Sequence, residues 1–279
     1  MIPEWKPVEE PRVPTVVKVG VPVLLVVAAC GAYWYYAKQQ APPAPVAKTV
    51  ELPVPAPAPV ETKPKVRNPV PSTPDIVEKP LPPLNESDAT LRESVERLTD
   101  AKTAGEFLVP ENLARNFVVT VDNLTRVKVA SERRPVKPTP GATLVETRGN
   151  ETILSDENYA RYAPFVALVQ AANTKQATAV YLHYYPLFQR AYEDLGYPDD
   201  YFNDRLVDVI DHLLATPTPA GPIKLTQPKV FYEYADPALE GLSAGQKLLL
   251  RMGPANAAQI KAKLTELRAE IASQKPPAQ

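Results

Sequence analysis

Cysteine is almost missing from this chain of 279 residues: Cys30 is the single one, so no disulfide within the chain can brace the fold. Histidine is nearly as scarce, with only His183 and His212, too few nitrogen ligands for the commoner zinc sites. The ten glycines never fall into a phosphate-cradling G-x-x-x-x-G-K-[ST] loop or a dinucleotide fingerprint, and no H-E-x-x-H helix occurs. Neither sign of charge is in excess: 31 Lys+Arg against 32 Asp+Glu give a formal charge of −1, so no global field draws the chain to nucleic acid. No cofactor, metal or catalytic residue is therefore expected. Paired carboxylates stay open, because such pairs need proximity in space and not in sequence. A serine, histidine and acid triad is possible by count alone, with no spacing that brings its members together.

What the chain does have is one long apolar run and a great deal of proline. Residues 19–37 carry no charge and are flanked by Lys18 and Lys38. A helix needs about 20 residues to cross a bilayer's hydrocarbon core, so this run reads as a transmembrane helix and the lipid bilayer as a partner. Lys6, Arg12 and Lys18 precede it, which places the N-terminus in the cytoplasm, and Tyr33, Trp34, Tyr35 and Tyr36 gather at the far side, where amphipathic rings suit the headgroup level. A rival reading takes Val27-Ala28-Ala29-Cys30 as a lipoprotein box with the chain anchored at Cys30. Against it, a signal's apolar region is only about 7 to 15 residues long and ends at its cleavage site, whereas this run continues through Gly31, Ala32 and four aromatics.

Fourteen of the 34 prolines fall between Pro42 and Pro83. A tract with so few large apolar groups cannot offset the entropy of ordering it, so it is expected to act as an extended spacer. The resulting organisation is a cytoplasmic tail (1–18), the span (19–37), a proline-rich periplasmic linker (38–83), one globular domain (84–273) and a frayed tail (274–279).

The pattern of the domain predicts a mainly α body with a small β hairpin or sheet, an α+β fold. Asn85 can cap a helix carrying Leu91, Val95 and Leu98, and a second helix opens at Pro110 with Leu113, Phe117 and Val121 on one face. Residues 142–147 and 151–154 flank Gly149-Asn150 as a hairpin. Tyr181, Tyr185, Phe188, Tyr192 and Leu195 project onto one stripe, which Pro186 should kink or divide. Residues 223–225 and 230–234 read as two further short strands, separated by Gln227-Pro228. Ser243 caps the first of two closing helices, Gly253 ends it, and Ile260, Leu264, Leu267 and Ile271 face inward on the second.

Two surfaces offer binding candidates. The first is the basic loop of residues 126–140, with Arg133, Arg134 and Lys137, whose cations pair with carboxylates or phosphates. The second is the helix of residues 201–215. At 100° per residue Asp204, Arg205, Asp208, Asp211 and His212 share one arc, opposite Leu206, Val207, Val209, Ile210, Leu213 and Leu214. Three carboxylates and a histidine on one face could bind a cation, or could simply face water. Tyr201 and Asn203, at its start, complete the candidate set.

Asp122-Asn-Leu124, Asn158-Tyr-Ala-Arg-Tyr162, Tyr185-Pro-Leu-Phe-Gln189, Tyr201-Phe-Asn-Asp-Arg-Leu-Val207, Val209-Ile-Asp-His-Leu-Leu-Ala-Thr-Pro217 and Leu242-Ser-Ala-Gly-Gln-Lys247 through Arg251-Met-Gly253 together resemble a proteobacterial family of single-span envelope proteins known only as a domain of unknown function. The resemblance covers residues 84–271 and implies a Gram-negative inner-membrane setting, but no activity. Two functions follow as expectations. One is a membrane-anchored periplasmic binding or scaffold module whose partner is an envelope protein or a cell-wall polymer. The other is a peptidoglycan hydrolase working through the acids of residues 201–215.

Overall fold

Six of the helices of this body begin where the chain supplies a side-chain acceptor for the free N–H groups of the first turn. The computed structural model describes residues 65–70, 80–127 and 132–272, which lie within one compact unit spanning Glu61–Gln279. After a 3-10 turn at Leu84–Glu86 come α1 (Asp88–Leu98), α2 (Ala101–Phe107), α3 (Leu113–Asn123), β1 (Val145–Arg148), β2 (Glu151–Leu154), α4 (Asp156–Ala160), α5 (Ala163–Ala171) and α6 (Thr174–Asp194). They are followed by α7 (Phe202–Leu214), β3 (Lys224–Thr226), β4 (Glu233–Tyr234), α8 (Pro237–Glu240), α9 (Ala244–Met252) and α10 (Pro254–Ile271). Asp100, Ser155, Asn173 and Asp236 cap α2, α4, α6 and α8 with their side chains. Ser243 and Gln246 close a reciprocal capping box on α9. The cap of α3 comes from a distant residue: Asn112 is left-handed at φ 53°, and the Asp88 carboxylate of α1 accepts from Asn112 N at 2.7 Å and Leu113 N at 2.8 Å. Asn85, expected as the cap of α1, instead accepts from Arg115.

The sheet is small and wholly antiparallel, in the order β1-β2-β3-β4. Gly149, at φ 62°, and Asn150 turn β1 into β2, so Arg148 pairs with Glu151 as the hairpin pattern requires. The fold is therefore α+β and mainly helical, as the sequence pattern indicates. Among the described residues no helix is long and apolar enough to cross a membrane. The apolar run of residues 19–37, Cys30, and most of the proline-rich tract lie outside the described residues.

The main core lies among the helices, where Val118 and Phe202 are fully enclosed. The Phe117 ring stands 5.0 Å from Phe188 and 5.9 Å from Phe202, within the range of favourable aromatic pairs. α6 runs unbroken through Pro186, which is exposed, so the proline does not divide it. Its buried line is also turned from the expected tyrosine stripe: Tyr184, Leu187, Phe188, Ala191 and Tyr192 are buried, while Tyr181 and Tyr185 are half-buried and Leu195 is 39% exposed. The phenol groups explain the rotation, since each hydroxyl needs a polar partner: Tyr181 donates to Asn203 Oδ1 and Tyr185 to Gln189 Oε1. A second core of Leu154, Ile223, Leu225, Tyr234 and Leu250 joins the sheet to α9. A third, of Val207, Ile210 and Ile271, joins α7 to the end of α10.

Buried phenols set an alkaline limit on stability. Burial, the first cause in each case, raises the pKa of Tyr181, and it pushes those of Tyr192 and Tyr234 from the ordinary 10 up to about 12. Unfolded tyrosines lose protons near pH 10 while these keep theirs, so the stabilisation is intact below 10 and is lost as pH rises towards 12. Urea midpoints followed from pH 8 to 12, with phenolate absorbance read in parallel, should hold level to about pH 10 and then fall. A midpoint unchanged at pH 12 would contradict this.

Candidate functional site

The polar arc of α7 is partly exposed, yet each of its side chains has a protein partner. Along the strap of residues 65–70, Val66, Asn68 and Val70 are half-buried and Lys65, Arg67 and Pro69 exposed, and the chain bends at Arg67 and Asn68. Asp204, in the first turn of α7, accepts from Arg67 N at 3.0 Å, Asn68 N at 2.6 Å and Asn68 Nδ2 at 3.0 Å. Asn203 donates from Nδ2 to Asn68 O at 2.9 Å. One turn on, Asp208 takes the Arg67 guanidinium in a two-pronged bond at 2.9 and 2.7 Å. That bond, chief among the causes, raises the already high pKa of Arg67. The body thus includes a piece of the tract expected to be spacer alone. Arg67 and Asn68 are the only arginine and the only asparagine between residues 41 and 83, which is the signal that could have marked them.

Asn203 is held ready for this contact. It is 1% exposed, its Oδ1 accepts from Tyr181, and its Nδ2 also donates to Ile271 O at 3.0 Å. Tyr201 precedes the helix as a half-buried N-cap without a side-chain bond to the first turn.

The remaining polar residues of the arc each go elsewhere. Arg205 reaches α3, donating from Nε to Asp122 Oδ1 at 3.0 Å and from Nη2 to Asp122 O at 2.6 Å and Thr125 Oγ1 at 2.7 Å. The buried Asp122 also accepts from Arg126 Nη2 at 2.6 Å. Asp211 pairs with Arg268 of α10. Three carboxylates that share an arc on the helical wheel are thus divided between a strap and another helix. Among the described residues no group of three or more His, Asp or Glu is placed to hold a metal ion.

His212 Nε2 lies 2.8 Å from Ser243 Oγ. Ser243 sits in Gly241-Leu-Ser-Ala-Gly245, a G-x-S-x-G spacing that usually marks a serine nucleophile on a strained turn between strand and helix. Sequence spacing does not unite this pair, but the fold does. Its surroundings are those of a helix cap. Ser243 follows α8 rather than a strand, has an unstrained φ of −64°, and is buried. Its Oγ accepts from Gln246 N at 3.2 Å. The N–H groups that could hold an oxyanion are occupied, Ala244 N by Arg126 O at 2.7 Å and Gly245 N by Leu124 O at 2.9 Å.

The basic loop is a separate surface. Val109 N donates to Pro135 O and Lys137 N to Phe107 O, at 2.9 and 2.7 Å, so residues 135–137 lie along the end of α2. Lys137 Nζ donates to Gly105 O at 2.7 Å, a cation on the last carbonyls of a helix. Arg133 is exposed and its carbonyl accepts from Thr120, while Arg134 is half-buried. A hollow of about 440 Å³, between the β1-β2 hairpin, the loop of residues 216–223 and the helices α9 and α10, contains none of the expected site residues. Neither does one of about 620 Å³ beside Val230 and Phe231.

Fold and site together define a mainly helical α+β body whose central polar helix is strapped by the chain's own upstream segment. The family described as protein of unknown function (DUF3014) matches residues 113–268, more than half of the chain, and the chain belongs to that family. The match runs from the start of α3 into the last turn of α10, leaving the strap outside it. No curated protein and no solved structure matches this chain.

Proposed function

We propose that this protein is a membrane-anchored binding or scaffold module of the Gram-negative envelope. Residues 19–37 hold it in the inner membrane, the N-terminus stays cytoplasmic, and the body works in the periplasm on an envelope protein or a cell-wall polymer. The observation that carries this reading is the strap: the segment leading from the apolar run is bonded to the body at Arg67 and Asn68, as suits a module held at a set distance. With the strap docked, the distance that residues 38–64 would cover if extended is roughly 85 Å, against roughly 140 Å for the whole tract at about 3.1 Å per residue. Wall cleavage through Asp204, Asp208 or His212 would require each to give up the protein partner it holds. The exposed Arg133 is available to an anionic partner.

Washed membranes from cells making the full chain should retain it until detergent is added, and the detergent-purified protein should be retained on cell-wall sacculi. Recovery in the soluble fraction without detergent overturns the anchor. Equal retention of the Arg133→Ala, Arg134→Ala variant removes the basic loop from the binding surface.

A further inference from the structure

We infer that the α7 groove around Asn203, Asp204 and Asp208 is a receptor site for a peptide that bends at an arginine followed by asparagine, and that residues 65–70 are its resident internal ligand. The inference stands apart from the envelope reading and holds in any compartment. The groove reads a peptide main chain at its bend, with Asp204 accepting two consecutive N–H groups and Asn203 donating to the carbonyl of the second. Two side chains add specificity: Asp208 takes a guanidinium in a two-pronged bond and Asp204 takes a carboxamide. Pro69 then closes the motif, because it has no N–H that would need a further acceptor.

Two features separate this groove from a fixed joint of the fold. The receptor side is built independently of the strap, since Tyr181 and Ile271 O already hold Asn203 in place. The strap side is lightly held: none of its residues belongs to a hydrophobic core, and the ion pair is open, with Arg67 and Asp208 side chains 60% and 44% exposed. Exposed pairs of this kind stabilise weakly. Departure of the strap would leave Asp204, only 6% exposed with the strap in place, without the three donors it has now. A buried carboxylate without donors is unfavourable, so the vacated groove favours another peptide with the same pattern of donors. A strap tethered to the body competes at an effective concentration of about the millimolar range, which makes it a guard that only a well-matched peptide displaces.

The test uses the full chain in detergent and a fluorescent peptide of residues 65–70, Lys-Val-Arg-Asn-Pro-Val, with binding read by anisotropy. The Arg67→Ala, Asn68→Ala variant should bind the peptide at least tenfold more tightly than the unaltered protein, and adding Asp204→Asn should remove that gain. A peptide with alanine at the arginine position should bind more weakly. Appearance of dimers when the strap variant is mixed with unaltered protein would identify the second copy's residues 65–70 as a ligand in trans and supports the site. Equal binding by the strap variant and the unaltered protein, or binding by neither, overturns it. So does loss of the cooperative thermal transition in the strap variant, which would make residues 65–70 a fixed part of the fold.

Discussion

Asp122→Ala should lower the stability of the body by about 3 kcal/mol, near the lower end of the loss seen when one partner of a buried ion pair is removed. The carboxylate lies at the end of α3 with its side chain 4% exposed, and it faces Arg205, whose side chain is 24% exposed, and Arg126, at 53%. Arg126 can return to water and contributes little. Arg205 cannot leave so easily, because it also bonds Asp122 O and Thr125 Oγ1 across to α3, and the substitution strands its charge. Attraction to Asp122, the largest cause, raises the pKa of Arg126, so neutralising the cation is no escape. Asp122→Asn, which keeps the shape and one acceptor, should lose less. Denaturant titration of both variants decides the matter, and a loss below about 1 kcal/mol for alanine would show that water reaches Arg205 and takes over.

Gly253→Ala should be at least as damaging, again by about 3 kcal/mol or more, for two independent reasons. Gly253 joins α9 to α10 at φ 82° and ψ 164°, a backbone region open essentially to glycine alone, where any other residue is strained by about 1 to 3 kcal/mol. A Cβ there would also fall 2.4 Å from the Tyr159 ring, a distance that forces the ring or the helix joint to move. Tyr159 is itself held from the other side, since its carbonyl accepts from Asn256 Nδ2 of α10 at 2.9 Å. Gly105 provides the control: it lies inside α2, a Cβ there meets nothing within 4 Å, and alanine in a helix interior is favoured over glycine by roughly 0.5 to 1 kcal/mol. Thermal melts should therefore move down for Gly253→Ala and level or up for Gly105→Ala. Similar melting of both would remove the joint at Gly253 as the cause.

Much of the body could be read locally, and the reasons are visible residue by residue. α7 declared itself because its apolar and polar residues separate at a period of 3.6, and Val207, Val209, Ile210 and Leu213 are buried as that separation requires. The hairpin followed from Gly149-Asn150 between two short alternating runs. α2 carries little local signal because its seven residues include Gly105, a poor helix former, and its start depends on Asp100 bonding Thr103 N at 2.9 Å. The phase of α6 differs from its tyrosine stripe because a tyrosine is both apolar and polar, and periodicity does not say which end is satisfied where.

The candidate site divides along the same line. Asn203, Asp204 and Asp208 were identifiable as one face of a helix, but their occupant stands 137 residues earlier in the chain, inside a tract whose composition indicates no structure of its own. Ser243 was legible as a cap and is one. The histidine 2.8 Å from it was not, since nothing in local spacing relates residue 212 to residue 243.

By itself the sequence determined the helical character of the body, the hairpin, the absence of any disulfide brace and the one polar arc worth attention, because each depends on neighbours within a few residues. Only the tertiary structure decided that this arc is shared out, to a strap at Asp204 and Asp208, to α3 through Arg205, to α10 through Asp211 and to α9 through His212. Helical periodicity states which side chains point away from the core. Which distant chain then arrives to satisfy their charges is set by the packing of the whole body.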